Sequence, residues 1–288
     1  MSSLLVCTAC LTAGACWPVA THAESVQAEL IARHTAAVPG RTLQVAVRLE
    51  MAPGWHTYWR NPGDSGMATS LEWDLPDGFA IGPIVWPAPE YFEVGGLASY
   101  GYEDEVLLPV GIGVPRGFSG ESVTLLARAD WLVCKETCIP GGADLSLTVP
   151  VTADRTAVRE NEQHVERFTR SDRRTQPVLV ADESSGRVVL EPAGYRLTLG
   201  STFTPTFVAD GAVARFFPFD AMLIAMSSPQ VTTLDAVGGL SLTAPPHPLA
   251  SGPAERFAGV VVWSDPSGAS PDEIFEIDLP IRGVADGE

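Results

Sequence analysis

Trp131-Leu132-Val133-Cys134-Lys135-Glu136-Thr137-Cys138-Ile139-Pro140 sets two cysteines four positions apart, between an apolar run and an Ile-Pro exit. On one extended strand, residues four apart stand roughly 13 Å from each other. A disulfide needs Cα atoms within about 4.4–6.8 Å. The chain must therefore reverse or coil between the sulfurs if they are to bond. Lys135-Glu136-Thr137 as a three-residue hairpin loop would bring them opposite each other on two strands. A helical turn would also do so, but the β-rich flanks and Pro140 argue against it.

Outward from this stretch the pattern stays β. Val123 to Ala129 leads in, and Asp144 to Val151 continues with Leu145, Leu147 and Val149 alternating. Val26 to Ala32 and Thr42 to Leu49 alternate too, the second with Leu43, Val45, Val47 and Leu49 on one face. Gly54-Trp-His-Thr-Tyr-Trp-Arg-Asn-Pro-Gly-Asp-Ser-Gly66 reads as an aromatic strand running into a Pro-Gly loop. Leu71 to Leu75, Phe79 to Trp86 and Val106 to Val114 are further strands. Pro87 to Gly96 reads as a loop, because its prolines forbid ladder pairing and Gly95-Gly96 loosens its end. Tyr91 and Phe92 in that loop are costly to expose, so they are expected to cover something.

Arg155 to Phe168 is free of proline and glycine and rich in helix formers, which predicts a short helix followed by a polar linker to Gln176-Pro177. Strands resume at Gly186–Leu190, Tyr195–Leu199, Ala214–Phe219, Leu240–Thr243, Phe257–Trp263 and Glu273–Ile281. Short strands spaced by turns point to β-sandwiches. The expected class is all-β: two tandem sandwiches joined by a short helical linker. The expected division is residues 1–23, 24–152, 153–176 and 177–285.

The first of those pieces reads as a signal peptide. Met1 to Ala23 lacks Lys, Arg, Asp and Glu, is apolar or small from Leu4 to Trp17, and offers Thr21-His22-Ala23 as a cleavage site. Ala13-Gly14-Ala15-Cys16 only loosely resembles a lipoprotein box, so lipid anchoring at Cys16 is not expected. No later stretch approaches the ~20 apolar residues of a membrane span, and the exported chain is expected to be soluble in an oxidising compartment. Of five cysteines, Cys7, Cys10 and Cys16 would leave with the signal and Cys134 and Cys138 would remain. The net charge of −17 excludes nucleic acid and an anionic membrane surface as partners, since both need a basic footprint.

What the pair does is left open by spacing alone. A loop this short is an inefficient staple, and two sizeable β-cores have little need of one. A reactive pair needs an accessible thiolate of lowered pKa; Lys135 and Glu136 pull that pKa in opposite directions. Zinc would need two further ligands, and His56 has no Cys or Asp at ligand spacing, so neither metal nor cofactor is expected. A binding or scaffold module with an inert disulfide is the competing reading.

The segments Gly54–Gly66 and Trp131–Pro140, two separated motifs in the right order, together resemble the periplasmic N-terminal domain of the DsbD/ScsB family of thiol–disulfide interchange proteins, and within it the ScsB-like branch. The resemblance covers Glu24 to Val151 well and the downstream β-domain more loosely. It implies immunoglobulin-like sandwiches in a periplasmic protein. It also implies a redox pair, Cys134 and Cys138, that takes electrons from a membrane-embedded thiol transporter and passes them to periplasmic thioredoxin-like proteins. By the same analogy Cys138 attacks first, and Tyr91-Phe92 is the aromatic cap that shields the cysteines until a partner docks. The chain carries neither the family's membrane segment nor its C-terminal thioredoxin-like domain, so the reductant is expected to be another polypeptide or a remainder of this one.

Overall fold

The computed structural model describes residues 25–283, apart from 204, 207–212, 236–237, 253, 266 and 268–269. The expected signal peptide and Cys16 lie outside the described residues. The first unit has ten strands: β1 (Val26–Ala32), β2 (Thr42–Met51), β3 (His56–Gly63), β4 (Ser70–Asp74), β5 (Ala80–Ile84), β6 (Glu90–Val94), β7 (Leu97–Glu103), β8 (Glu105–Gly113), β9 (Ser122–Cys134) and β10 (Cys138–Pro150). They form one sheet in the order β1-β2-β8-β5 and a second in the order β10-β9-β3-β7-β6, with β4 also paired to β9. The alternation along β2 does what the sequence demands: Leu43, Val45, Val47 and Leu49 are buried between the sheets while Gln44 and Glu50 are exposed.

The first sheet also buries something on its outer side. Ile31, Ala46 and Leu107 form a small cluster with Phe168, and Phe168 belongs to the helix α1 (Val165–Thr175). The helix thus starts ten residues later than the composition of 155–168 suggests, because residues 159–161 are drawn into tertiary pairing. Thr35 N donates to Arg159 O at 2.9 Å and Asn161 N to Arg33 O at 2.8 Å, so the chain runs alongside the end of β1 before it coils. Ionic contacts then fix α1 on the sheet. Glu105 accepts from Arg48 Nε at 2.6 Å and from Arg167 Nε at 3.0 Å. Burial alone pushes the Glu105 carboxyl up, but the hydrogen bonds and charges of these two arginines outweigh it and hold the pKa below the usual value. Phe168→Ala is expected to cost about 3 kcal/mol in the unfolding transition of the first unit, as a cavity in a site closed by a rigid sheet; denaturant titration checks it.

The second unit holds β11 (Leu179–Ala181), β12 (Gly186–Glu191), β13 (Gly194–Leu199), β14 (Val213–Pro218), β15 (Val231–Leu234), β16 (Leu240–Ala244), β17 (Arg256–Ser264) and β18 (Glu273–Arg282). The order is β14-β17-β18-β12-β13-β16-β15, with β11 beside β18. The long β18 pairs with β17 along most of its length and with β12 at its end, where Val188 faces Ile281. One strand therefore belongs to both layers of the sandwich, and Phe216 and Phe257 stack at 4.1 Å between them. The two cores are continuous through Trp59, whose ring lies 6.4 Å from that of Phe217 and 5.9 Å from that of Phe219. Among the described residues no helix is long and apolar enough to cross a membrane.

Candidate functional site

Cys134 ends β9 and Cys138 begins β10. They face each other in register, with Cα atoms 4.1 Å apart, and are joined by a disulfide. Lys135, Glu136 and Thr137 make the exposed tip between them. Along β9, Val123, Leu125, Ala127, Ala129, Trp131 and Val133 point into the core, whereas Thr124, Leu126 and Arg128 point outward and are exposed. Period-two alternation puts Cys134 on that outer face. Yet Cys134 is only 1% exposed. A side chain outside the core is buried this completely only when something lies on top of it.

Beside Cys134 lie β3 and, against it, the β6–β7 hairpin. His56 pairs in register with Cys134 on one side and with Glu103 on the other. Cys138, Cys134, His56 and Glu103 thus form a row across four strands, and residues directly paired in antiparallel strands share a face. Phe92 stacks on His56, with ring centres 5.1 Å apart and planes 16° apart. Tyr58 meets His56 edge-on at 5.4 Å, and its Oη lies 3.4 Å from Cys138 Sγ. With both sulfurs in the disulfide, only the phenol has a proton to give. Burial pushes the Tyr58 pKa up, so that proton is held at neutral pH. Gly66, at φ 114°, packs against the Tyr58 ring, where a Cβ would collide with it. The glycine at the end of the Asn-Pro-Gly-Asp-Ser-Gly stretch is thereby explained.

Phe92 and Tyr91 do not share a face. They are neighbours on a strand, so they face opposite sides: Phe92 lies on His56, while Tyr91 lies 6.3 Å from Tyr100 with the Arg215 guanidinium over its ring. The loop reading of Pro87 to Gly96 also needs correction. Glu90–Val94 is a strand paired with β7, and Gly95 and Gly96, at φ 62° and 82°, make the two-residue turn between them. Two consecutive positive φ angles favour a right-twisted hairpin, so the Gly-Gly pair closes a ladder here instead of loosening one.

His56 is 3% exposed and its Nε2 has no hydrogen-bond partner among the described residues. Burial lowers its pKa from 6.5, keeping the imidazole neutral. The unfolded chain therefore takes up this proton first as pH falls. The stability this contributes is complete above about pH 6.5 and is lost as pH drops through the folded value. His56→Phe is expected to flatten that acid slope, measured as denaturation midpoints between about pH 7 and 5. An unchanged slope would mean the imidazole is not the group responsible. In the sequence His56 stands out only as a candidate metal ligand, and Tyr58 only as one aromatic of a strand. The signal that could have found them is the alternation of His56 and Tyr58 against Thr57 and Trp59, two on each face. Among the described residues no three Cys, His, Asp or Glu side chains gather as a metal site would require.

Residues 23–150 match the family model described as thiol:disulfide interchange protein DsbD, N-terminal. This segment is a DsbD-type N-terminal domain. The chain is also similar to the crystal structure of the N-terminal periplasmic domain of ScsB from Proteus mirabilis, with 19% identity over 89% of this chain and 94% of that one and a TM-score of 0.60. That likeness carries the immunoglobulin-like fold through both sandwiches. The reduced N-terminal domain of DsbD from Neisseria meningitidis aligns at 13% identity, over 50% of this chain and 96% of that one, with a TM-score of 0.26. No curated protein matches the chain. Cys134 and Cys138 are the only cysteines among the described residues.

Proposed function

We propose that this chain is a thiol–disulfide oxidoreductase of the periplasm, exported by a signal peptide at residues 1–23. Its Cys134/Cys138 pair relays reducing equivalents from a membrane-embedded thiol electron transporter to periplasmic thioredoxin-like proteins. The redox domain is residues 24–152, followed by the helical linker 153–176 and the second sandwich 177–285. The observation that supports the reading is the asymmetry of the pair at a hairpin tip: Cys138 is exposed, while Cys134 is buried on an outer face beside the His56–Phe92 stack.

In the reduced state Cys138, the sulfur a partner can reach, attacks one sulfur of the partner's disulfide as a thiolate. A Cys138–partner bond forms, the partner's S–S bond breaks, and its other sulfur leaves as a thiolate that takes a proton. Cys134, deprotonated in turn, then attacks Cys138 Sγ, restores the Cys134–Cys138 disulfide and releases the partner as a dithiol. Two electrons and two protons have moved to the partner. The membrane transporter's dithiol reduces the pair again by the reverse sequence. Tyr58 Oη–H, 3.4 Å from Cys138 Sγ, stabilises the Cys138 thiolate by a charge-assisted hydrogen bond. Phe92, stacked on His56, is the cap that a docking partner lifts.

The reduction potential of the pair tests the proposal. A value above about −300 mV supports exchange, and a value below it supports an inert structural bond in a binding or scaffold module.

A further inference from the structure

The cap strand is held from behind by the rest of the molecule. β6 has two faces. One carries Phe92 over His56, and the other turns Tyr91 toward the second sandwich. There the guanidinium carbon of Arg215, on β14, lies 3.7 Å from the centre of the Tyr91 ring, and Phe217 meets Tyr100 of β7 edge-on at 4.8 Å. The start of β6 is tied to the linker helix, where Arg174 Nη1 is 2.9 Å from Glu90 Oε1 and Nη2 donates to Ala88 O at 2.7 Å. Near the turn, Ala98 N donates to Ser227 Oγ at 3.1 Å, and Ser227 also bonds Asp64.

Beside these contacts the interface is open in one place. A groove of about 290 Å³ separates the cap strand from β14 and β17, lined by Tyr91, Phe92, Arg215, Phe217 and Val262 among others. Nothing among the described residues lies within 4 Å of where a side chain would start at Gly95 or Gly96, and Gly96 O accepts from Ser227 Oγ at 3.4 Å. The hairpin is held through Tyr100 on Phe217 and by polar and cation–π contacts, of which Arg215 on Tyr91 lies one residue from Phe92.

We propose that Arg215 is a positioning residue for the cap: by gripping Tyr91 it holds Phe92 down on His56, so that the second sandwich sets how readily the redox pair is uncovered. The inference rests on the reading of Phe92 as the cap. It assigns the second sandwich a task the redox chemistry alone does not require, and it makes shielding of Cys134 depend on a residue with no contact to either sulfur.

The test compares the full chain with Arg215→Ala, Arg215→Lys and Phe92→Ala. The rate of iodoacetamide alkylation at Cys134 in the reduced protein is followed by mass spectrometry, alongside the reduction potential of the pair. Arg215→Ala is expected to raise the alkylation rate about threefold, with the potential unchanged, from loss of a cation–π contact. Arg215→Lys is expected to stay near the parent rate, since an ammonium can still sit over the ring. Should Arg215→Ala not fold, Tyr91→Leu removes the same contact from the other side and is expected to behave alike. A parental rate in Arg215→Ala or Tyr91→Leu, beside a raised rate in Phe92→Ala, overturns the brace and leaves the cap standing. Parental rates in all of them overturn the cap and the brace together.

Discussion

Cys134→Ser and Cys138→Ser are each expected to reduce electron transfer to a thioredoxin-like protein to the uncatalysed background, and to fail at different steps. Without Cys138 no sulfur at the exposed hairpin tip can attack, so no mixed disulfide forms. Without Cys134 the attack proceeds, but nothing resolves the product, and a Cys138–partner disulfide accumulates. The distinction follows from exposure: Cys138 is open to solvent and Cys134 is 1% exposed. Non-reducing electrophoresis of each variant with an oxidised thioredoxin-like protein reads both outcomes, and the trapped species identifies the partner. Full transfer by either single variant would end the exchange mechanism. Accumulation in Cys138→Ser instead of Cys134→Ser would reverse the order of attack.

Phe92→Ala is the second large effect. A stacked aromatic pair is worth about 0.5–1.5 kcal/mol beyond the area it buries, and each 1.4 kcal/mol is a factor of about ten in an equilibrium. Removing the Phe92 ring from His56 should therefore raise the uncovered fraction, and with it the rate at which small alkylating reagents reach Cys134, by about two- to tenfold. The apolar area lost with the ring adds to this. Stability should change less, because Phe92 lies outside both cores and is half-buried. An alkylation rate equal to the parent's would show that another group shields the sulfur. His56→Ala makes a useful companion, since it removes the other half of the stack while leaving Phe92 in place.

The two variants probe different demands on one site. A thiol pair that meets many oxidants must be shielded, and a pair that serves large partners must be reachable. Under the proposed mechanism, burying one sulfur on an outer face instead of in the core meets both demands. Core burial would fix Cys134 behind packing that cannot open without unfolding.

Much of this was legible in the chain itself. Alternation at Thr42 to Leu49, Val123 to Val133 and Leu145 to Val149 dictates half-buried strands, because period-two side chains must face a core or water. The four-residue cysteine spacing, with β-prone flanks, demands a hairpin if the sulfurs are to bond. Paired strands of this kind, repeated after a polar helical break, leave few architectures besides tandem sandwiches.

What the chain alone could not decide was which face meets what. The helix begins at Val165 because residues 159–161 are captured by the strand end at Arg33 and Thr35, and local propensity is blind to so distant a partner. Gly95-Gly96 serves a hairpin turn as well as a loose loop; only pairing of Glu90–Val94 with β7 selects between them. Tyr91 and Phe92 are equivalent aromatics until the ladder turns one toward the second sandwich and the other toward His56. The burial of Cys134 likewise depends on residues about forty to eighty positions away in the chain, on strands that meet it only in the folded sheet. Periodicity along a chain is a local property, whereas the cover over a site is made by surfaces that meet only after the sheets have formed.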